Sequence, residues 1–440
     1  MKIITLGCSK NTVDTEHLLA VLEPAYTIVE EGDAAARTDF LLLNTCGFIG
    51  DAKEESIAAI LEAVQMKKEG TVGKVVVFGC LSQRYERDLR EGIPEVDAWF
   101  GARDFNPLLR YLGVEVSFAP FASDAPRHLT TPRHYAFLKI SEGCDRRCSY
   151  CAIPSIRGRH VSVPVGRLVA EAESLAAAGV KELVVVAQDT AWYGLDLYGR
   201  RALATLLEAL SGVDGIEWIR MHYCYPDGFP DDVLALMASN PKICPYLDIP
   251  LQHASDRVLS QMHRHTTGVE VRAQIEKFRR AVPGIVLRTT LMVGHPGEGE
   301  KEFAELMDFV RDIRFDRMGA FKYSEEEGTY GAGHYRDEVP AEVKQERLDA
   351  LMTLQAEISL ANNRRRIGTV ERVIVDSVQG DTLVCRSRFE SPDVDGEILV
   401  KPGPDDFPGQ SADALVGQFM DVEITDAEEY DLLARPKNLL

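Results

Sequence analysis

The sequence has few cysteines, no long apolar segment and no excess of positive charge. Nine cysteines in 440 residues are too few for a disulfide scaffold. No apolar run approaches the roughly 20 residues that span a bilayer, and the opening MKIITLGCSK does not read as a signal peptide. The net charge of −20 argues against nucleic-acid binding by the whole surface. We therefore expect a cytoplasmic protein with reduced thiols, whose clustered cysteines bind metal or take part in chemistry.

The first part of the chain alternates short apolar runs with amphipathic helical patterns. The runs lie at residues 3–6, 40–43 and 75–78. This alternation is typical of a parallel sheet that is covered on both faces. We predict an α/β domain over residues 1–125, with a linker at 121–134.

A cysteine follows each of these three runs: Cys8, Cys46 and Cys80. Ligands of open α/β sheets bind beyond the carboxyl ends of the strands. We therefore expect a parallel sheet to bring the three thiols together at one edge, although they are far apart in the chain. The alternative is that each is a small buried packing residue, as free cysteine often is.

Residues 135–365 repeat a strand–helix pattern. Candidate strands lie at residues 137–140, 183–187, 218–221, 247–249, 286–293 and 315–322. Repeated βα units predict a full or partial TIM-type barrel, whose active site lies at the carboxyl ends of its strands. The loop SEGCDRRCSYC follows the first candidate strand and is therefore expected at that face.

This loop holds three cysteines and no fourth: Cys144, Cys148 and Cys151. Tetrahedral structural zinc needs four ligands, and the nearest histidines, His134 and His160, lie outside the loop. Three thiolates suit a four-iron cluster with one iron left open for a substrate or cofactor. Zinc with a recruited histidine stays open as an alternative.

The last part of the chain, residues 368–440, follows a polar helical segment. Short alternating strands at 370–375, 382–386, 397–400 and 419–425 predict a small antiparallel barrel. Residues 371–440 contain 16 Asp and Glu against 6 Lys and Arg, a net charge of −10. Such a surface repels phosphates and attracts a basic protein. The alternative is an acidic face that only keeps the chain soluble.

The motifs together resemble the radical S-adenosylmethionine (SAM) methylthiotransferase family over essentially the whole chain. LKISEGCDRRCSYCAIPSIRGR at 138–159 carries the Cys-x₃-Cys-x₂-Cys signature of radical SAM enzymes. The other similar segments are NTCGFI at 44–49, FGCLSQRY at 78–85 and TTLMVGHPGE at 289–298. The last part of the chain resembles a TRAM domain. One departure is His295, where the family more often has a large apolar residue.

Three segments are most similar to the RimO type, which modifies an aspartate of ribosomal small-subunit protein 12. They are AQDTAWYG at 187–194, MHYCYP at 221–226 and LDIPLQHAS at 247–255. The resemblance implies an α/β multidomain enzyme with an amino-terminal methylthiotransferase domain, a central radical SAM barrel and a TRAM-like barrel. It also implies the small-subunit protein as substrate and an unidentified electron donor. No RNA binding by the TRAM-like domain is expected from its charge.

The resemblance further implies two [4Fe-4S] clusters and SAM. The cluster on Cys144, Cys148 and Cys151 would bind and reductively cleave SAM, giving a radical that takes hydrogen from the β-carbon of aspartate. That carbon is hardly acidic, so general-base catalysis would not reach it. The cluster on the Cys8, Cys46 and Cys80 thiolates would supply the sulfur.

Weaker candidates accompany the cysteines. Those for SAM contacts are Tyr150, Gln188, Asp189, His253 and Gly294, and those for a carboxylate are Arg157 and Arg159. Each has a structural alternative: a core aromatic, a helix cap, a structural histidine, a turn or a solvated arginine. Two other functions stay open: a tRNA methylthiotransferase acting on an anticodon-loop adenosine, and a non-catalytic zinc or iron-sulfur protein.

Overall fold

The structure combines an amino-terminal parallel sheet, a central parallel sheet and a carboxy-terminal closed barrel. It is a computed structural model that describes residues 1–29, 37–115, 127–403, 406–407, 409 and 411–437. The predicted fold class is confirmed. The predicted domain boundaries stay predictions, and the first of them, with residues 121–126 of the predicted linker, lies outside the described residues.

The amino-terminal sheet has four parallel strands in the order β1-β2-β3-β4. The strands are β1 (Lys2–Thr5), β2 (Thr38–Thr45), β3 (Val72–Gly79) and β4 (Ala98–Trp99). The helices are α1 (Ser9–Leu22), α2 (Gly50–Lys68), α3 (Cys80–Gly92) and α4 (Asn106–Tyr111). Leu42 and Val76 pack on one face of the sheet, while Leu43 and Val77 pack on the other. The strands are continuously apolar because both faces are buried.

The central sheet has six parallel strands in the order β12-β11-β10-β9-β8-β5, so it forms a partial TIM-type barrel. The strands of this region, including a small β6–β7 pair, are β5 (Tyr135–Lys139), β6 (Ser141–Glu142), β7 (Val161–Ser162), β8 (Glu182–Val186), β9 (Trp218–Met221), β10 (Ile243–Gln252), β11 (Val286–Val293) and β12 (Arg317–Lys322). The predicted strands at 218–221 and 286–293 are found with those bounds.

The helices of this region are α5 (Ile153–Arg157), α6 (Val165–Ala177), α7 (Leu195–Tyr198), α8 (Leu203–Ser211), α9 (Asp231–Ser239), α10 (Asp256–Gln261), α11 (Gly268–Ala281), α12 (Glu300–Ile313), α13 (Tyr330–His334) and α14 (Ala341–Arg364). Of these, α6, α8, α9, α11, α12 and α14 cover the outer face of the sheet. Leu183 and Val185 of β8 face these helices. Val184 and Val186 face inward, where Val13 of α1 packs against them. The amino-terminal unit therefore reaches the interior of the partial barrel.

The carboxy-terminal barrel closes in the order β13-β14-β15-β17-β16. Its strands are β13 (Val370–Gln379), β14 (Thr382–Ser387), β15 (Ile398–Val400), β16 (Phe419–Ala427) and β17 (Leu432–Pro436). The pairing differs from the sequence prediction at one place, because β17 was not predicted and pairs in parallel with β15. This short strand, which ends in proline, has little of the alternating pattern that signals a strand.

A seam of buried ion pairs joins the last barrel to the base of the central sheet. The Glu182 carboxylate accepts hydrogen bonds from the guanidinium groups of Arg220 and Arg386, both at 2.8 Å. In the segment after β14, Ser391 Oγ lies 2.6 Å from Nε2 of His222, which follows β9 of the central barrel. Glu390 is also buried there, so part of the acidic charge of this domain turns inward. Among the described residues, no helix is both long and apolar enough to cross a membrane.

Candidate functional site

Three cysteines lie at one edge of the amino-terminal sheet. Cys46 and Cys80 directly follow β2 and β3, and Cys8 follows β1 just before α1. Because these strands are parallel neighbours, their carboxyl ends meet at the same edge. The Cys46 thiol is close enough to Cys8 and Cys80 that a charge on either raises its pKa. The structure thus brings together Cys8, Cys46 and Cys80, which we call the amino-terminal triad.

Glycines make this approach possible. Gly7 has a left-handed backbone with φ +96°, and a Cβ built there would lie 2.7 Å from Cys46 Cβ. Gly79 has φ +107°, and its Cβ would lie 2.5 Å from Asn44 Oδ1. A larger residue at Gly7 would clash with Cys46, and one at Gly79 would clash with Asn44 and the backbone of Thr45.

The thiols of the amino-terminal triad differ in their electrostatics. Burial raises the pKa of Cys46 to about 12 and also raises that of Cys80. Burial opposes ionisation of Cys8 too, but Lys10 and Arg157 lower its pKa below the usual value. Three such thiols hold their charge together only beside a positively charged group, and metal ligation by cysteine requires the thiolate. The donor set therefore fits an iron-sulfur cluster.

The second triad, Cys144, Cys148 and Cys151, lies in the loop after β6 and is called the loop triad. The backbone folds the loop back on itself, with Cys151 N donating to Cys148 O at 3.1 Å. Burial, together with the charges of Asp189 and Cys148, raises the pKa of Cys144 to about 12. Burial and the same neighbour raise the pKa of Cys151. These three thiols also form one group.

The zinc alternative finds no support in the geometry. Within the described ranges, no three His, Cys, Asp or Glu side chains converge closely enough to hold a single metal ion. His134 Nε2 instead lies 2.7 Å from Asp376 Oδ1, and His160 Nε2 lies 3.0 Å from Ser162 Oγ. A four-iron cluster is larger than one ion, so its three thiolates need not converge on one point.

Two SAM candidates follow β8 at the carboxyl edge of the barrel. Gln188 Nε2 donates to Glu142 Oε1 at 2.6 Å, while Gln188 Oε1 is buried and has no partner among the described residues. Asp189 pairs with Arg146 at 2.9 Å and caps the turn at Ala191 N. The cap that was weighed as a structural alternative is therefore present at Asp189. The SAM role of both residues stays a prediction.

The other SAM candidates line the opposite side of the edge. Tyr150 accepts from Arg264 Nη1 at 3.3 Å. The His253 ring is fully buried between Glu298 Oε2, at 3.1 Å, and the backbone N–H of Ser255, at 3.0 Å. Gly294 N donates to Glu298 Oε1 at 2.9 Å. His253 and Gly294 thus share one buried carboxylate, and their contact with SAM stays a prediction.

Sequence reasoning missed the polar groups of Arg146 and Trp192 at this edge. Buried atoms without a partner among the described residues include Arg146 Nη2, Gln188 Oε1, Trp192 Nε1 and Gln252 Oε1. The Arg146 guanidinium lies between the rings of Trp192 and Tyr225, 4.2 and 3.8 Å from their centroids. Buried polar atoms are normally paired, so this group suits a polar ligand such as SAM. The only signal in the sequence is the location of these residues, because each lies at or after the end of a predicted strand or in the cysteine loop.

Arg157 and Arg159, the two candidates for binding a carboxylate, differ in the structure. The solvated alternative holds for Arg159, whose side chain is 89% exposed, but is wrong for Arg157, whose side chain is 3% exposed. Arg157 Nη1 pairs with Asp14 at 2.6 Å, and its Nε lies 3.3 Å from Cys80 Sγ. It does bind a carboxylate, but one within the chain. Asp14 is 143 residues away, so spacing could not reveal the pair.

Comparisons with known proteins agree with this geometry. Residues 138–310 match the Radical SAM superfamily, residues 1–101 match the Uncharacterized protein family UPF0004, and residues 367–436 match the TRAM domain. A solved structure of the radical SAM methyltransferase TsrM from Kitasatospora setae is similar, with a TM-score of 0.56. It covers 83% of this chain and 90% of its own at 13% identity, which shows a shared fold.

Curated relatives are much more similar in sequence. The "Ribosomal protein uS12 methylthiotransferase RimO" of Phocaeicola vulgatus is 50% identical over 433 residues, 98% of each chain. The protein of the same name from Porphyromonas gingivalis is 50% identical over 435 residues, again 98% of each.

The barrel, the cysteine loop and the superfamily match define a radical SAM enzyme, a class that uses a [4Fe-4S] cluster and SAM. Full-length similarity then narrows the class. The chain belongs to the RimO family and is a radical SAM methylthiotransferase.

Proposed function

We propose that this enzyme transfers a methylthio group to the β-carbon of an aspartate in ribosomal protein uS12. The observation that carries the proposal is the pair of cysteine triads, one from each parallel sheet, joined by Arg157. This residue closes the helix that follows the loop triad, and it contacts Cys80 of the amino-terminal triad. Two separate cluster sites are what sulfur insertion by radical chemistry needs.

The two cluster sites would have different roles. The loop triad would hold the cluster that supplies radical chemistry with SAM, and the amino-terminal triad would hold a second cluster that supplies sulfur. The unpartnered polar atoms of Arg146, Gln188 and Gln252 would bind the polar groups of SAM. The aromatic rings around Arg146 would fix the guanidinium and exclude water from it.

The protein substrate is supported by the relatives and by charge. The curated relatives are named for uS12, so the tRNA alternative is not favoured. Exposed acidic residues of the last barrel, such as Asp421, Glu428 and Glu429, would attract a basic ribosomal protein and repel RNA phosphates. We further propose that the enzyme works in the cytoplasm, where ribosomes are assembled, with an electron donor still to be identified.

Mass spectrometry of uS12 from cells that lack the gene tests the proposed function. We expect the methylthio mass increment on one aspartate to disappear and to return when the gene is restored. Loss of a methylthio group from RNA, with uS12 unchanged, would favour the tRNA alternative instead.

Iron analysis of the purified enzyme tests the two sites. After anaerobic reconstitution we expect about eight irons per chain, the count of two four-iron clusters. Replacing the amino-terminal triad by alanine should leave about four irons and retain SAM cleavage, but should abolish transfer to uS12. Cys224→Ala, which removes a buried cysteine outside both triads, is the matched control and should keep all eight.

A further inference from the structure

Lys10 is a buried cation without a carboxylate partner. The residue is 7% exposed and lies in the first turn of α1, next to the amino-terminal triad. Its Nζ lies 3.2 Å from the centroid of the Tyr223 ring. No Asp or Glu among the described residues forms an ion pair with it. An aromatic face repays only part of the cost of taking an ammonium group out of water.

The ring beneath Lys10 is held in an unusual position. Tyr223 follows β9 and has a left-handed backbone with φ +58°, which is strained for a bulky residue. Its N–H donates to Asp248 Oδ2 at 3.0 Å, which fixes this conformation. Strain of this kind clusters at functional sites.

Asp248 is the acidic group nearest to this pair, and both of its oxygens are engaged. Oδ2 accepts from the Tyr223 backbone, and Oδ1 accepts from Arg288 Nη1 at 2.9 Å. Its charge is therefore largely matched by Arg288, which leaves the charge of Lys10 without a carboxylate counterion.

Lys10 lies between the amino-terminal triad and the carboxyl edge of the central barrel. It comes from the amino-terminal unit, close to Cys8, yet it lies over a residue at the carboxyl edge of the central barrel. We propose that Lys10 binds the side-chain carboxylate of the substrate aspartate and so holds its β-carbon between the two sites. This inference rests on the proposed function, because it assumes that the substrate is an aspartate residue.

The test compares binding of two forms of uS12 to reconstituted enzyme. One form carries the target aspartate, and in the other asparagine replaces it. We expect the wild-type enzyme to prefer aspartate by at least about tenfold in Kd, as close charge pairs at interfaces do. Lys10→Met should abolish this preference, whereas Lys10→Arg, which keeps the charge, should retain most of it.

Lys74→Met is the matched control. Lys74 also lies over aromatic rings of the amino-terminal unit, 5.6 Å from the Phe40 centroid, but it is exposed and distant from the triad edge. This variant should keep the full preference for aspartate. All variants are first checked for about eight irons per chain, which excludes a folding or loading defect.

One result would overturn the inference while leaving the proposed function intact: Lys10→Met keeps the full preference for aspartate. If that variant also shifts the reduction potential of the amino-terminal cluster, Lys10 acts instead as a counterion of the cluster. Failure of the wild-type enzyme to bind or modify uS12 would instead overturn the proposed function together with this inference.

Discussion

Arg157 Nε lies 3.3 Å from Cys80 Sγ, and this contact links the peptide that carries the loop triad to the amino-terminal triad. The same guanidinium pairs with Asp14 of α1. A single buried side chain therefore fixes the relative position of the two cysteine groups.

Replacing Arg157 by glutamine should lower the reduction potential of the amino-terminal cluster. Positive charge and hydrogen bonds at cluster sulfurs stabilise the reduced state, and Arg157 supplies both to Cys80. The potential is measured by redox titration with electron paramagnetic resonance, in a background where alanine replaces the loop triad. Arg103→Gln is the control, because Arg103 binds the carbonyl of Ile156 in the same segment without touching a thiol. An unchanged potential in the Arg157 variant would contradict this role.

Gly7→Ala should empty the amino-terminal site. The new Cβ would lie 2.7 Å from Cys46 Cβ, and the left-handed backbone alone disfavours alanine by about 1–2 kcal/mol. We expect the iron content to fall from about eight to about four per chain. Gly70→Ala isolates the backbone effect, because Gly70 has φ +81° but nothing within 4 Å of a Cβ. If both variants lose iron equally, the clash with Cys46 is not the cause.

Glu390 should make the seam between the last two units sensitive to acid. Burial alone would raise its pKa, but Arg366 and Arg317 lower it from 4.5 to about 2. Because the pKa of Glu390 is lower in the folded than in the unfolded state, its ionised carboxylate stabilises the folded state above pH 4.5. This contribution disappears as the pH falls from 4.5 to about 2. Two and a half pKa units correspond to about 3 kcal/mol.

The measurement is the difference in free energy of unfolding between the wild type and Glu390→Gln. The difference should be largest near neutral pH and should shrink steadily below pH 4.5, because the wild-type carboxylate becomes protonated. A difference that does not change between neutral pH and pH 3 would show that Glu390 adds no acid sensitivity.

Arg386→Met should destabilise the seam strongly. Arg386 pairs with Glu182 and Asp376, and the Glu182 and Arg386 side chains are 0% and 3% exposed. Removing one partner of a buried ion pair typically costs about 3–5 kcal/mol. Arg372→Met removes an exposed pair with Glu217 across the same two units and should cost at most about 1 kcal/mol. Equal shifts in unfolding temperature for the two variants would contradict the role assigned to the seam.

The positions of most strands could be predicted from sequence because each signal is local. Apolar runs and turn residues locate β2, β3, β9 and β11. The two-residue strand β4 and the strand β17 have too little pattern to be found in this way. The three cysteines of the amino-terminal triad could likewise be assigned to strand ends, because each lies beside a glycine at the end of an apolar run.

The contacts between units could not be predicted. Arg157 meets Asp14, and Lys10 meets Tyr223, only because α1 enters the open side of the partial barrel. Such pairs depend on how the separate sheets dock, and no spacing within the chain encodes them. Sequence reasoning therefore found the two cysteine triads but not the charged residues that surround them.

The end of β14, together with the segment that follows it, gives the last barrel a second role. With Ser391 on His222 and Arg386 on Glu182, it forms the floor of the central barrel. If the chain ended before this domain, Glu182, Arg220 and His222 would be exposed to solvent at the base of the open central barrel. The central barrel thus relies on this domain to keep these charged and polar side chains away from water.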